Sequence, residues 1–179
     1  MQILHLTQKD YKTSQWSGGT TTELLIWPEG ADYAKREFQV RISSATVELA
    51  ESDFTPLQGV TRYITPLSGG FTLTHPGEMP VVMAPMAAPY RFSGETPTHC
   101  VGTATDFNLM LKGVEGCMQL SCETWLMQPG LNGFYATEQT RIQLDTEHCL
   151  AAGDFLVVFA EKNAQAKVCG KGLLCYANV

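Results

Sequence analysis

The chain has 179 residues, 44% of them hydrophobic and 17% charged, with a formal charge of -6. That composition supplies one sizeable core or two small ones, and its 12 Lys and Arg are scattered, not gathered into the basic stripe that nucleic acid requires. No run reaches the roughly 18 apolar residues of a membrane span and the first ten residues hold no basic leader with a long apolar stretch, so a soluble cytoplasmic protein is expected.

Glycines and prolines, 16 and 9 in number, punctuate the chain every few positions. Between them lie short runs rich in Thr, Val, Ile, Leu and aromatic residues, at 20–27, 37–47, 62–67, 70–75, 98–111, 118–126 and 155–160. Phe38, Val40 and Ile42 alternate with Gln39, Arg41 and Ser43. The same period of two runs through residues 140–144. Alternation of that kind predicts strands. No segment carries a capped apolar stripe of period 3.6, so long helices are not expected. Many short strands at near-regular spacing predict an all-β sandwich or barrel. Residues 62–93, turning at Ser68-Gly69-Gly70, are loosely similar to residues 134–160, turning at Ala152-Gly153-Asp154. Each reads as the middle of one jelly-roll barrel. The boundary falls in Gly113-Val114-Glu115-Gly116, which is too short for a flexible linker. The expected domains are therefore residues 1–112 and a smaller unit of residues 113–179, packed closely on the first.

The candidate chemistry lies mainly in the first of these. On the run around residue 108, Asp106, Asn108 and Met110 share one strand face, and Phe107, Leu109 and Leu111 share the other. If the polar face also points inward, it lines a pocket; otherwise it faces solvent or Asp106 pairs with an arginine. Arg62 is flanked on its own face by Val60 and Ile64, and a buried guanidinium there must find partners. Arg41 sits on a face with Gln39, Ser43 and Ala45. Each arginine either receives an anionic ligand through its planar fork or pairs with Glu23, Glu48 or Asp106. Trp16-Ser17-Gly18-Gly19 precedes a strand on which Thr21 and Glu23 share a face. The two glycines bring backbone close to a ligand, or they form a tight turn with Trp16 over a barrel mouth.

Other chemistries lack support. His5, His75, His99 and His148 are isolated, with Leu73 where an H-x-H partner of His75 would stand, so no metal or other cofactor is expected. His75 reads as a strand-end surface or capping residue. The six cysteines form no C-x-x-C pair and are expected as reduced thiols. No nucleophile elbow or P-loop is present.

Four ordered blocks together resemble the HutD/Ves family of small double-cupin proteins: residues 16–23, residues 38–48, residues 54–62 followed by Leu67-Ser68-Gly69-Gly70, and residues 105–110. The resemblance implies a bicupin fold and a link to histidine or amino-acid utilisation. The expected function is that of a cupin-like protein binding a small polar or anionic metabolite through Arg62, Asp106, Asn108, Trp16, Arg41 and Glu23. Two alternatives stand beside it: an isomerase or hydrolase using the same cavity, and a structural protein without a ligand. A homodimer is left open as a partner, and nucleic acid and membrane are not expected.

Overall fold

A computed structural model describes residues 1–179. Every regular element is a strand, as the period-two runs and dense turns require, and no helix occurs. The chain forms two compact units, Lys12–Gly113 and Met1–Tyr11 with Val114–Val179.

The first strand is β1 (Gln2–Leu6). Ten strands follow in the Lys12–Gly113 unit: β2 (Lys12–Trp16), β3 (Gly19–Trp27), β4 (Val40–Val47), β5 (Glu51–Asp53), β6 (Val60–Gly69), β7 (Phe71–Thr74), β8 (Val81–Met83), β9 (Tyr90–Ser93), β10 (His99–Val101) and β11 (Ala104–Lys112). They make an antiparallel sheet of order β2-β3-β4-β11-β6-β9 and a second of order β5-β10-β7-β8. Between the sheets, Ile64, Phe71, Leu73, Met83, Phe92, Cys100 and Ala104 form one buried cluster. Phe38, Leu57, Val60 and Met110 form another. Burying each large side chain of these clusters is worth about 1.5–3 kcal/mol.

The other unit contains β12 (Gly116–Leu120), β13 (Thr124–Met127), β14 (Gly130–Ala136), β15 (Thr140–Gln143), β16 (Glu147–Leu150), β17 (Phe155–Ala160), β18 (Ala164–Cys169) and β19 (Gly172–Ala177). Its sheets run β1-β17-β14-β19-β12 and β13-β18-β15-β16. Its interior is filled by an apolar cluster that includes Trp125, Phe134, Ile142, Leu156 and Val158, with the Trp125 and Phe134 rings 5.9 Å apart.

The chain passes from one unit to the other after Gly113, within the Gly-Val-Glu-Gly segment. The first eleven residues, however, belong with the C-terminal unit and not with residues 12–113. The reason is pairing: β1 runs antiparallel to β17 from Gln2↔Phe159 to Leu6↔Phe155, and Ile3 packs on the C-terminal core. A second departure from expectation is His75. It is only 2% exposed, stacks on Tyr90 at 5.8 Å and contacts Phe92. Its imidazole is part of an aromatic cluster, so it is not a surface cap.

Candidate functional site

In the Lys12–Gly113 unit, β11 lies at the middle of the six-stranded sheet, and its two faces divide as alternation predicts. Phe107, Leu109 and Leu111 are buried on one side, and Asp106, Asn108 and Met110 on the other. Cross-strand register then assembles the site. Met110 is opposite Arg41 on β4 and Arg62 on β6; Asn108 is opposite Ser43 and Ile64. Asp106 faces Ala45 and Pro66 in the next row. On β3, Glu23 pairs with Ser43, and a bulge at Leu24 then shifts the parity so that Ile26 pairs with Arg41.

These rows line a cavity of about 400 Å³. Arg41, Arg62, Asp106, Asn108 and Trp16 all reach it, with Tyr33 and Phe54 adding aromatic wall. Glu23, the remaining candidate, acts from behind: its carboxylate accepts from Arg41 Nε at 2.8 Å. Arg41 therefore has its ion-pair partner within the protein, the structural alternative raised for it above. Its guanidinium also lies over the Tyr33 ring, 3.9 Å from the centroid, a cation–π contact.

Arg62 is differently placed. Its Nη2 donates to Asn108 Oδ1 at 2.9 Å, and Asn108 Nδ2 donates in turn to Asp106 Oδ1. The amide thus stands between cation and carboxyl and has one orientation only, Oδ1 to the arginine and Nδ2 to the aspartate. The Arg62 guanidinium sits 4.6 Å from the Phe54 centroid and 5.3 Å from that of Phe92. Its Nε is buried without a hydrogen-bond partner, which is costly for a charged group.

Burial dominates the electrostatics. It pushes the Asp106 carboxyl up to about 7, against the opposing pull of Arg62, the Ala45 backbone N–H and Asn108. It draws Arg62 down to about 10, with Asp106 and Tyr33 working the other way. At neutral pH Arg62 is therefore cationic while Asp106 is divided between its two protonation states. Arg41 is paired with Glu23 and Asp53 adds an exposed carboxylate to the lining, so Arg62 is the wall's cation without a carboxylate in direct contact.

Trp16 is at the rim, 43% exposed. The Ser17-Gly18 turn joins β2 to β3, with Trp16 paired to Gly19. Gly19 adopts φ +146°, and a Cβ there would stand 1.9 Å from the Thr46 carbonyl oxygen. The glycines serve a tight hairpin that holds the indole at the opening. Tyr33 and Phe54 escaped the sequence reading. Tyr33 lies between β3 and β4, where no periodicity marks orientation, and Phe54 follows the end of a three-residue strand.

The donors do not fit a transition-metal centre. The cavity lining contains no histidine or cysteine, and no cluster of three or more His, Cys, Asp or Glu side chains is placed to hold a metal. His99 is engaged outside it by Asp53 at 2.8 Å and His5 by Asp154 at 2.9 Å. Two guanidinium groups also oppose a cation.

Comparison with known proteins places this geometry among relatives. The HutD family model matches residues 8–176. HutD from Pseudomonas fluorescens SBW25 superposes with a TM-score of 0.85 at 22% identity, covering 99% of this chain and 98% of its own. A conserved protein of unknown function from Pseudomonas aeruginosa PAO1 gives 0.83 at 22% identity, with the same coverage. The bacterial pirin YhhW from Escherichia coli, solved in complex with nickel(II), gives 0.68 at 9% identity over 98% of both chains. A comparison with curated protein sequences found no match. The solved structures bear on fold: this is an all-β double-cupin architecture.

Proposed function

The chain belongs to the HutD family, and from that membership together with the cavity we propose that it binds a small polar or anionic metabolite in its Lys12–Gly113 unit, in connection with histidine or amino-acid utilisation. The observation that carries the reading is Arg62: buried, hydrogen-bonded to a neutral amide and not to a carboxylate, with Nε unpartnered and the nearby Asp106 carboxyl pushed up to about 7 by burial. An anion entering there supplies the compensation that the fold leaves incomplete. The volume of about 400 Å³ suits a small molecule. Tyr33, Phe54 and Trp16 offer flat apolar surface, while the hydroxyls of Ser43, Ser52 and Thr55 offer orientation.

Isothermal titration with glutarate, with glutaramide as its neutral isostere, and with a panel of amino-acid-derived acids tests the charge preference. Saturable binding of acids but not of the neutral amide is expected, lost in Arg62→Met while the circular dichroism spectrum is unchanged. Equal binding of acid and amide overturns the anion assignment.

A second reading has its own observation. Asp106, titrating near neutrality inside a cavity, has the property of a general acid–base. An isomerase or hydrolase would use it so, and turnover abolished in Asp106→Asn with ligand binding retained distinguishes enzyme from binder.

A further inference from the structure

Three of the exposed cysteines, Cys122, Cys149 and Cys169, belong to one region of the Val114–Val179 unit, far in sequence from the residues of the cavity. Two of them share a groove. The ladder between β13 and β18 runs from Met127↔Ala164 to Thr124↔Lys167, and it extends one step further through Val168 N–H donating to the Glu123 carbonyl at 2.8 Å. Cys122 and Cys169 each stand one residue beyond that bond, on the two facing segments. The segment is closed from the other end as well: Ser121 N–H donates to the Gly172 carbonyl at 2.9 Å, and Gly172 N–H donates to Ser121 Oγ at 2.8 Å. Cys122 is thus the single residue between two anchored neighbours, and facing it are only Cys169, Gly170 and Lys171.

Ser121 meets Gly172 two positions out of that register, so the chain bulges between the two anchors, and Cys122 and Cys169 are the residues that directly adjoin the Glu123–Val168 bond. A hydrogen-bonded cross-strand pair of that kind holds its Cα atoms about 5.5 Å apart. That lies within the range of about 4.4–6.8 Å that a disulfide bridges. Both residues are exposed and unbridged, and the Cys122 thiol donates to the Thr124 carbonyl at 3.0 Å. Both line a groove of about 530 Å³ whose rim includes Lys167 and Lys171, and Arg141 is the cross-strand neighbour of Cys169 on β15. By contrast Cys100 and Cys175 are buried, with burial raising both thiols and leaving them protonated.

We propose that Cys122 and Cys169 are a redox-active pair, a modification site that a small anionic disulfide of the glutathione type oxidises to an internal bridge. One cysteine thiolate attacks a sulfur of the reagent, forming a mixed disulfide and releasing the first reagent thiolate. The other protein thiolate then attacks the protein sulfur of that mixed disulfide, forming the Cys122–Cys169 bond and expelling the second. Two protein thiols are oxidised, one reagent disulfide is reduced to two thiols, and the two protons lost by the protein thiols pass through solvent to the released reagent thiolates. The lysines and the arginine attract the anionic reagent to the groove. The bridge pins the Ser121–Glu123 segment to the end of β18, and reduction releases it.

The test uses the whole native chain, incubated with oxidised glutathione and then alkylated without reduction. Intact mass lower by two hydrogens before alkylation is expected. Proteolysis should yield one cross-linked peptide pair carrying Cys122 and Cys169, lost in Cys122→Ser and retained in Cys149→Ser. A bridge to Cys149, a stable glutathione adduct without ring closure, or no mass change in the native chain overturns the proposal.

Discussion

Asp106 gives the sharpest measurement. Its carboxyl has an ordinary value of 3.8 and is pushed up to about 7 in the folded protein by burial. A group raised in this way favours its protonated form when folded. Between the two values the folded chain holds a proton that the unfolded chain has lost, so stability falls as pH rises through that window. The contribution is fully present below pH 4 and gone above pH 7. Three units of separation at 1.36 kcal/mol each amount to about 4 kcal/mol. This is a large share of the roughly 5–15 kcal/mol that holds a domain folded. Asp106→Asn keeps the shape and removes the titration. Urea unfolding of both proteins at pH 4, 5, 6, 7 and 8 gives two stability curves, and their difference cancels every other titrating group. With an m-value of about 2 kcal/mol/M, the wild-type midpoint should fall by about 2 M relative to the variant between pH 4 and 8. Parallel curves refute the reasoning, because they mean that Asp106 is solvated or fully paired.

Glu23→Gln removes the carboxylate that neutralises Arg41, with both side chains largely shielded. It should cost about 3 kcal/mol in urea unfolding, because it strands a buried cation; a loss below 1 kcal/mol would mean that the guanidinium is wet. Gly19→Ala meets both a backbone oxygen and a φ reserved for glycine. It should destabilise by about 2–4 kcal/mol, visible as a lower Tm, and a neutral result contradicts the hairpin geometry. His75→Phe preserves the stack on Tyr90 and Phe92 and removes the imidazole Nε2, which is buried without a partner, at the loss of the contact with Thr98. The two effects oppose, so a change within about 1 kcal/mol is expected, and a large loss assigns His75 a polar role.

What the sequence determined by itself was everything that depends on strand parity. Alternation along residues 104–112 placed Asp106 with Asn108 and Met110, and separated them from Phe107, Leu109 and Leu111, before any partner strand was known. The same property placed Arg62 among apolar neighbours, and dense turns without helical stripes dictated all-β layers. Parity is a local property of an extended backbone, so it survives in one dimension. The register between strands does not. Only the tertiary structure brought Arg41, Met110 and Arg62 into one row, put an amide between Arg62 and Asp106, and matched Glu23 with Arg41 across a bulge that parity counting alone would miss. It also decided that β1 joins β17 at the far end of the chain, and that His75 lies inside an aromatic cluster instead of at the surface. These outcomes depend on contacts between residues distant in sequence, where burial and pairing over the whole sheet, not any local preference, set the lowest free energy.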